Sequence, residues 1–228
     1  MNEILFFALT LIGLGASLIA FRAGKVWLTA LVGVNIVLAN IFVTKQIDIF
    51  GLQGTGGIVL YAAIFLSTDL LCEHYGEEEA RDAVYVGFFC ALLFLLTSQV
   101  LLLFTPAPRD QAHPAMQVLF GAQPRIIGAS LLAYLVSQLH DVWSFGLLRR
   151  LTQGRHPWLR NNGSTWVSQA IDTVLFNGLA FAGVFPARVV VQIIISSYIL
   201  KIIVAIIDTP FFYAGFWLHP ATDRSKAR

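Results

Sequence analysis

Val136-Ser137-Gln138-Leu139-His140-Asp141-Val142-Trp143-Ser144-Phe145 and Val167-Ser168-Gln169-Ala170-Ile171-Asp172-Thr173-Val174-Leu175-Phe176 are two copies of one pattern. Each lies within an apolar run long enough to cross a bilayer. Each therefore puts a carboxylate and an amide where lipid would make both costly, about 2.5–3.5 kcal/mol for one acidic residue at a helix centre. Two matched aspartates, Asp141 and Asp172, with Gln138 and Gln169 three residues before them, point to a polar site enclosed by helices.

Composition supports a membrane setting. Of 228 residues 57% are hydrophobic and only 12% charged, and the mean hydropathy is +0.73. That is too apolar for a soluble domain with an ordinary polar surface. The net charge of +2 carries no nucleic-acid signal, because the basic residues fall between apolar runs. Cys72 and Cys90 form no Cys-x-x-Cys or His/Cys spacing, so neither a disulfide framework nor a metal site is expected, and no cofactor is called for.

Seven runs approach the length of a spanning helix: about 4–21, 26–44, 55–73, 84–105, 126–148, 164–185 and 189–217. The expected fold is an all-α, polytopic helical bundle with one additional N-terminal span (1–25), a six-helix core (26–218) and a cytoplasmic tail (219–228). Glu3 before the first run and Arg22 and Lys25 after it reverse the charge order of a signal peptide, so the first helix is read as uncleaved. Asp208-Thr209-Pro210 is expected to interrupt the last span. If the 149–163 loop is cytoplasmic, ten basic residues share its side against four on the other. That bias places the N-terminus outside and the C-terminus inside. Trp27, Trp158, Trp166 and Trp217 fall near span ends, where interfacial aromatics sit.

On these boundaries Asp141 and Asp172 are level with each other, roughly 11–12 Å inside the cytoplasmic boundary. Asp69 reaches a similar depth and Lys201 lies nearer the middle, so all four are expected to face one cavity. A structural ion pair or interhelical hydrogen-bond network is the plainer alternative. His140 points to another face and reads as a packing or interfacial residue, Glu77-Glu78-Glu79 as a solvated loop, Asn162-Gly163-Ser164 as a cap of the sixth helix, and Gly54-Thr55-Gly56-Gly57 as a turn. Oligomeric state stays open, a homo-oligomer included; Gly13 and Ser17, four apart, would allow a close helix contact.

Ala39-Asn40-Ile41 before Lys45, Thr68-Asp69-Leu70, Glu73-His74-Tyr75-Gly76, Ala80-Arg81, Ser137 to Val142, Trp158 to Thr165, and Ser168 to Thr173 together resemble the VUT-type queuosine precursor transporters, over about residues 30–217. The resemblance implies a bacterial inner-membrane importer that brings 7-deazaguanine bases, the 7-cyano or 7-aminomethyl form, into the cell for tRNA modification. It also implies a likeness in outline to the substrate-binding subunits of energy-coupling-factor vitamin transporters. The extra N-terminal span is a departure from that pattern.

The chemistry of such a ligand suits the residues found. A guanine-like edge offers two adjacent N–H donors and a carbonyl, and a carboxylate from Asp141 or Asp172 can accept both donors. Gln138, Gln169, Asn40 and Lys201 are candidates to donate to the carbonyl, with Asp69 as a further carboxylate in the interior. Phe145, Phe176 or Trp143 would cover the flat faces. Another purine or vitamin on the same scaffold is the nearest alternative. An intramembrane aspartyl protease would need two aspartates sharing a proton, and the Gly-x-Gly-Asp context of such enzymes is absent. A membrane transferase would need acidic metal-binding clusters in loops, for which only Glu73 and Glu77 to Glu79 offer themselves.

Overall fold

The structure is a computed structural model that describes residues 1–121 and 124–218. The expected tail at 219–228, with Arg224, Lys226 and Arg228, lies outside the described residues. In chain order the elements are α1 (Asn2–Ala23), α2 (Lys25–Phe42), β1 (Gln46–Ile49), β2 (Leu52–Thr55), α3 (Ile58–His74), α4 (Glu77–Leu102), α5 (His113–Phe120), α6 (Pro124–Leu151), α7 (Pro157–Phe181) and α8 (Ala187–Trp217). All seven expected spans coincide with long helices, giving an all-α polytopic membrane protein. Short links make sequence neighbours antiparallel. Gly24 alone joins α1 to α2 and Tyr75-Gly76 joins α3 to α4, with φ of 118° and 103° at the two glycines, a backbone state that side chains disfavour.

α1, α2, α4, α6 and α8 are long and apolar enough to cross a membrane on their own terms. α3 and α7 are the inner helices. α3 is buried from Ile58 to Cys72 apart from Tyr61, which is partly buried. α7 buries Arg160, Asn161, Asn162, Ser164, Thr165, Ser168, Gln169, Asp172 and Thr173 against other helices, not against lipid. The outer helices present apolar stripes outward, as Val191, Ile195, Ile199 and Ile206 do on α8. Gly13 and Ser17 make the close contact their size permits, but with α3 of the same chain. A Cβ on Gly13 would stand 3.3 Å from that of Ala63, and the Ser17 hydroxyl donates to the Ala63 carbonyl at 3.2 Å.

Several boundaries differ from the sequence reading. Glu77 to Glu79 form the first turn of α4, where the helix dipole favours acidic groups. There Glu77 pairs with Arg150 and Glu79 with Lys25 at 2.6 Å. α7 starts at Pro157, a proline suited to a first helical turn, so Asn162-Gly163-Ser164 lies inside the helix and caps nothing. α8 runs unbroken through Pro210. Asn161 donates to Asp208 at 2.9 Å and Asn162 to Thr209 at 2.9 Å, which ties the proline-bearing segment to α7. Gly54-Thr55 ends β2, so only Gly56-Gly57 serve as a turn there. The two strands form an antiparallel hairpin turned by Phe50-Gly51, both at positive φ (53° and 71°) as a two-residue hairpin turn requires.

Asn2 donates to the Asp48 carbonyl at 3.0 Å, so the N-terminus and the hairpin share one end of the bundle. The links 24, 75–76 and 152–156 share the other end.

Candidate functional site

At the hairpin end, a cavity of about 760 Å³ opens between α2, the hairpin, α3, α6, α7 and α8. Its deepest polar feature is the Lys201 ammonium, which donates to the Asp172 carboxylate. Both side chains are nearly enclosed. Lys201 also stands 5.0 Å from the centre of the Tyr61 ring, and Ser137 donates to the other Asp172 oxygen at 3.4 Å. On α7 Asp172 and Phe176 are four apart, and on α8 Ser197 and Lys201 are four apart, so helical spacing brings each pair to the cavity. Asn40 accepts from Ser130 at 3.0 Å and completes the polar wall, while Phe176 packs edge-on to Phe181 at 6.0 Å between ring centres. The ion pair neutralises itself, which lets it persist away from bulk water while leaving donor and acceptor atoms for a ligand.

A second polar layer lies on the side away from the hairpin. Asp69 and Asp141 stand side by side, with Asp208 close to both. All three are essentially without solvent exposure. Hydroxyls of Ser164, Thr165 and Ser168 surround Asp141, yet neither of its oxygens has a hydrogen bond of good geometry. Gln138 accepts from Thr68 at 3.4 Å. Below them Arg160 reaches Glu73 through two bonds of 2.8 Å each, with its guanidinium 5.9 Å from the Phe145 ring centre.

The expectation that Asp69, Asp141, Asp172 and Lys201 face one cavity is therefore not met. Asn40, Asp172, Phe176 and Lys201 line the cavity. Asp69, Gln138, Asp141 and Phe145 belong to the second layer, Gln169 is buried but lines no part of the cavity, and Trp143 is largely exposed. The levels differ because α7 begins earlier than its apolar run. Asp141 is ten residues before the end of α6 and Asp172 fifteen after the start of α7, so they lie about 15 Å and about 22 Å from that end. Two aspartates at different depths, one of them paired with a lysine, do not form the proton-sharing dyad of an aspartyl protease.

The repeat nonetheless has a structural meaning. α6 and α7 run antiparallel, and the serine of each copy meets the aspartate of the other: Ser137 bonds Asp172, and Ser168 stands beside Asp141. Ser168 also shares a 2.9 Å hydrogen bond with His140 Nδ1, so His140 is a packing residue at the helix interface. Sequence reasoning passed over Tyr61, Ser130 and Asn177 on the cavity wall, where an isolated polar group in an apolar run was the available signal. It also treated Arg160 as a loop charge; its partner Glu73 is 87 residues away, and only the fold joins them.

Residues 55–215 match the family described as "Putative vitamin uptake transporter". Among similar proteins, one from Bacillus subtilis (strain 168), named "Probable queuosine precursor transporter", is 43% identical over 204 residues, covering 89% of each chain. The "Queuosine precursor transporter" of Escherichia coli (strain K12) is 30% identical over 186 residues, 79% of this chain and 80% of that one. The Haemophilus influenzae protein named "Probable queuosine precursor transporter" is 31% identical over 161 residues, 69% of this chain and 66% of that one. No solved structure matches this chain. With the family match extending across α3 to α8 and the relatives aligned over most of their length, the chain belongs to the VUT-type queuosine precursor transporter family.

Proposed function

We propose that this protein imports queuosine precursors, 7-deazaguanine bases, across the bacterial inner membrane, and that the cavity at the hairpin end is where the base binds. The observation that carries the reading is the Asp172–Lys201 pair at the depth of the cavity. The cavity volume is within the usual range for small-molecule sites, roughly 300–1,000 Å³. The Asp172 carboxylate accepts the N1–H and 2-amino protons of the guanine edge, Lys201 donates to the neighbouring carbonyl, Asn40 supplies a further polar contact, and Phe176 covers a face of the ring. A neutral planar base needs neither a phosphate loop nor a basic cluster. The names of the relatives support the same substrate class.

In this reading the basic end of the bundle, with Arg149, Arg150 and Arg155, faces the cytoplasm, and the cavity opens outward, where the base arrives. α1 is an addition to a six-helix core. A cysteine introduced at the exposed Gln153 should then be labelled only from the cytoplasmic side, and labelling only from outside would reverse the orientation.

The substrate is tested by competition of labelled precursor uptake in cells unable to make the precursor. Guanine-like bases should compete, and adenine-like bases, lacking the donor pair, should fail by a wide margin. Sites built around hydrogen-bonded groups reject analogues without them far more strongly than apolar pockets reject a missing methylene. Equal competition by both kinds would mean that Asp172 does not read the guanine edge.

A further inference from the structure

We propose that Asp69 and Asp141 form a proton-binding site, separate from the cavity, whose loading couples proton entry to entry of the base; this rests on the transport reading above. The two carboxyl groups come from α3 and α6, stand side by side, and are buried to 1% and 0% exposure. Each cation in the neighbourhood is engaged elsewhere. Arg160 holds Glu73 by two bonds, Lys201 holds Asp172, and Arg149 lies 4.0 Å from Glu73 and donates to the Cys72 carbonyl. Two adjacent carboxylates out of water do not both stay ionised, whereas one proton between them turns repulsion into a hydrogen bond.

A second observation points the same way. Both Asp141 oxygens, Asp69 Oδ2, the Thr165 hydroxyl beside Asp141 and Gln138 Nε2 are buried without a hydrogen bond of good geometry. A proton on Asp141 supplies a donor to Asp69 and leaves the other Asp141 oxygen as acceptor for Thr165.

The surroundings provide a route from one side to the other. Asp172 at the cavity floor is bonded to Ser137, and Ser137 is one turn of α6, about 6 Å, from Asp141. Asp69 in turn is one turn of α3 from Glu73, which lies towards the basic end. The other ionisable groups around the pair are Cys72 and His74 on α3, Glu77 on α4, His140 on α6 and Asp208 on α8. In the coupled step the closed pair holds one proton, taken up from the outer side, while the base is bound. Both are released on the cytoplasmic side, where water reaching the two carboxylates lets both ionise until the next proton enters from outside.

The test uses the full-length protein in sodium-free liposomes with labelled 7-cyano-7-deazaguanine, a neutral base. With one proton per base, an inward gradient of one pH unit supports about tenfold accumulation, and a protonophore should abolish it. Asp141→Asn and Asp69→Asn keep size and remove the titrating group; each should bind the base within a few-fold of the parent and exchange it across the membrane, but show no response to the gradient. Accumulation by the parent that ignores the pH gradient, or that appears only once an inward sodium gradient is imposed, overturns the proposal, as does a pH-gradient response retained in both variants. A readout independent of the base is the infrared carbonyl band of a protonated carboxylic acid in the purified parent, which should weaken in either variant; its presence unchanged in both overturns the site. Failure of the parent to bind any deazaguanine base, with the band behaving as expected, refutes the substrate reading and leaves the proton site standing. Should Asp141→Asn not fold, Asp69→Asn and the infrared band of the parent under deuterium exchange carry the same decision.

Discussion

Neutralising the Asp172–Lys201 pair in two steps separates its binding role from its structural one. Asp172→Asn alone leaves the Lys201 ammonium nearly enclosed with no anion, and breaking a buried pair from one side costs about 3–5 kcal/mol. Because the pair borders a cavity, the lower end applies, and for a chain of this size about 3 kcal/mol corresponds to a fall in melting temperature of roughly 6–12 °C. Adding Lys201→Met removes the orphan charge while keeping the length of the side chain, so the double variant should recover most of that loss. Binding should not recover with it. A carboxylate that accepts two ligand N–H groups, replaced by an amide with one acceptor oxygen, loses on the order of 2–3 kcal/mol, roughly a 30-fold or greater weakening. The assay is a titration of a deazaguanine base against purified parent, single and double variants, beside their melting curves in the same detergent. A double variant that is stable and binds the base as tightly as the parent would refute the reasoning, since the pair would then be a strut between α7 and α8 and nothing more.

Phe176→Ala should weaken binding by about 1 kcal/mol, some fivefold, with little change in stability, whereas Phe145→Ala, whose ring is fully buried beneath Arg160, should lower stability by about 3–5 kcal/mol and leave the affinity of folded protein nearly unchanged. The contrast is read in the same titration and melting curves. Gly87→Ala would place a Cβ 2.2 Å from the hydroxyl of the buried Tyr134, an overpacking expected to cost about 1–3 kcal/mol and visible as a lower melting temperature. Arg160→Lys keeps the charge but loses the two-pronged contact with Glu73, so a loss of about 1.5–3 kcal/mol is expected, and a melting temperature equal to the parent's would show that the fork is dispensable.

The spans were readable because lipid imposes one requirement, an apolar run of sufficient length, and the chain states it seven times. α7 was readable only in its second half, since Arg160, Asn161 and Asn162 look like a loop until the helices that cover them are known. The same polar stretch carries the contacts that keep α8 continuous through Pro210. The hairpin at 46–55 lacked the Asn-Gly signal that usually marks such a turn, having Phe50-Gly51 instead. For the site, spacing within a helix put Gln169 with Asp172, yet the cavity takes Asp172 and Phe176 and leaves Gln169 out, and the depth of one helix against another depends on where each begins, which the sequence left open by about two turns for α7.

That offset explains how a repeated pattern yields two different environments. Because α6 and α7 are antiparallel, the two copies of Ser-x-x-x-Asp exchange partners across the interface, and one aspartate must lie nearer each end of the bundle. The copy towards the hairpin meets α8 at Lys201 and becomes a neutral pair beside open space. The copy towards the basic end meets α3 at Asp69, receives no cation, and is closed over by Thr165 and Ser168. For the proposed site to become accessible from the other side that end must open, and its ion pairs include Arg160–Glu73, Arg150–Glu77, Lys25–Glu79 and the longer Arg149–Glu73. Arg160–Glu73 is the best enclosed of these and spans α3 and α7, which carry Asp69 and Asp172 respectively. A separation of those two helices at the basic end would therefore alter the surroundings of both aspartates in one movement.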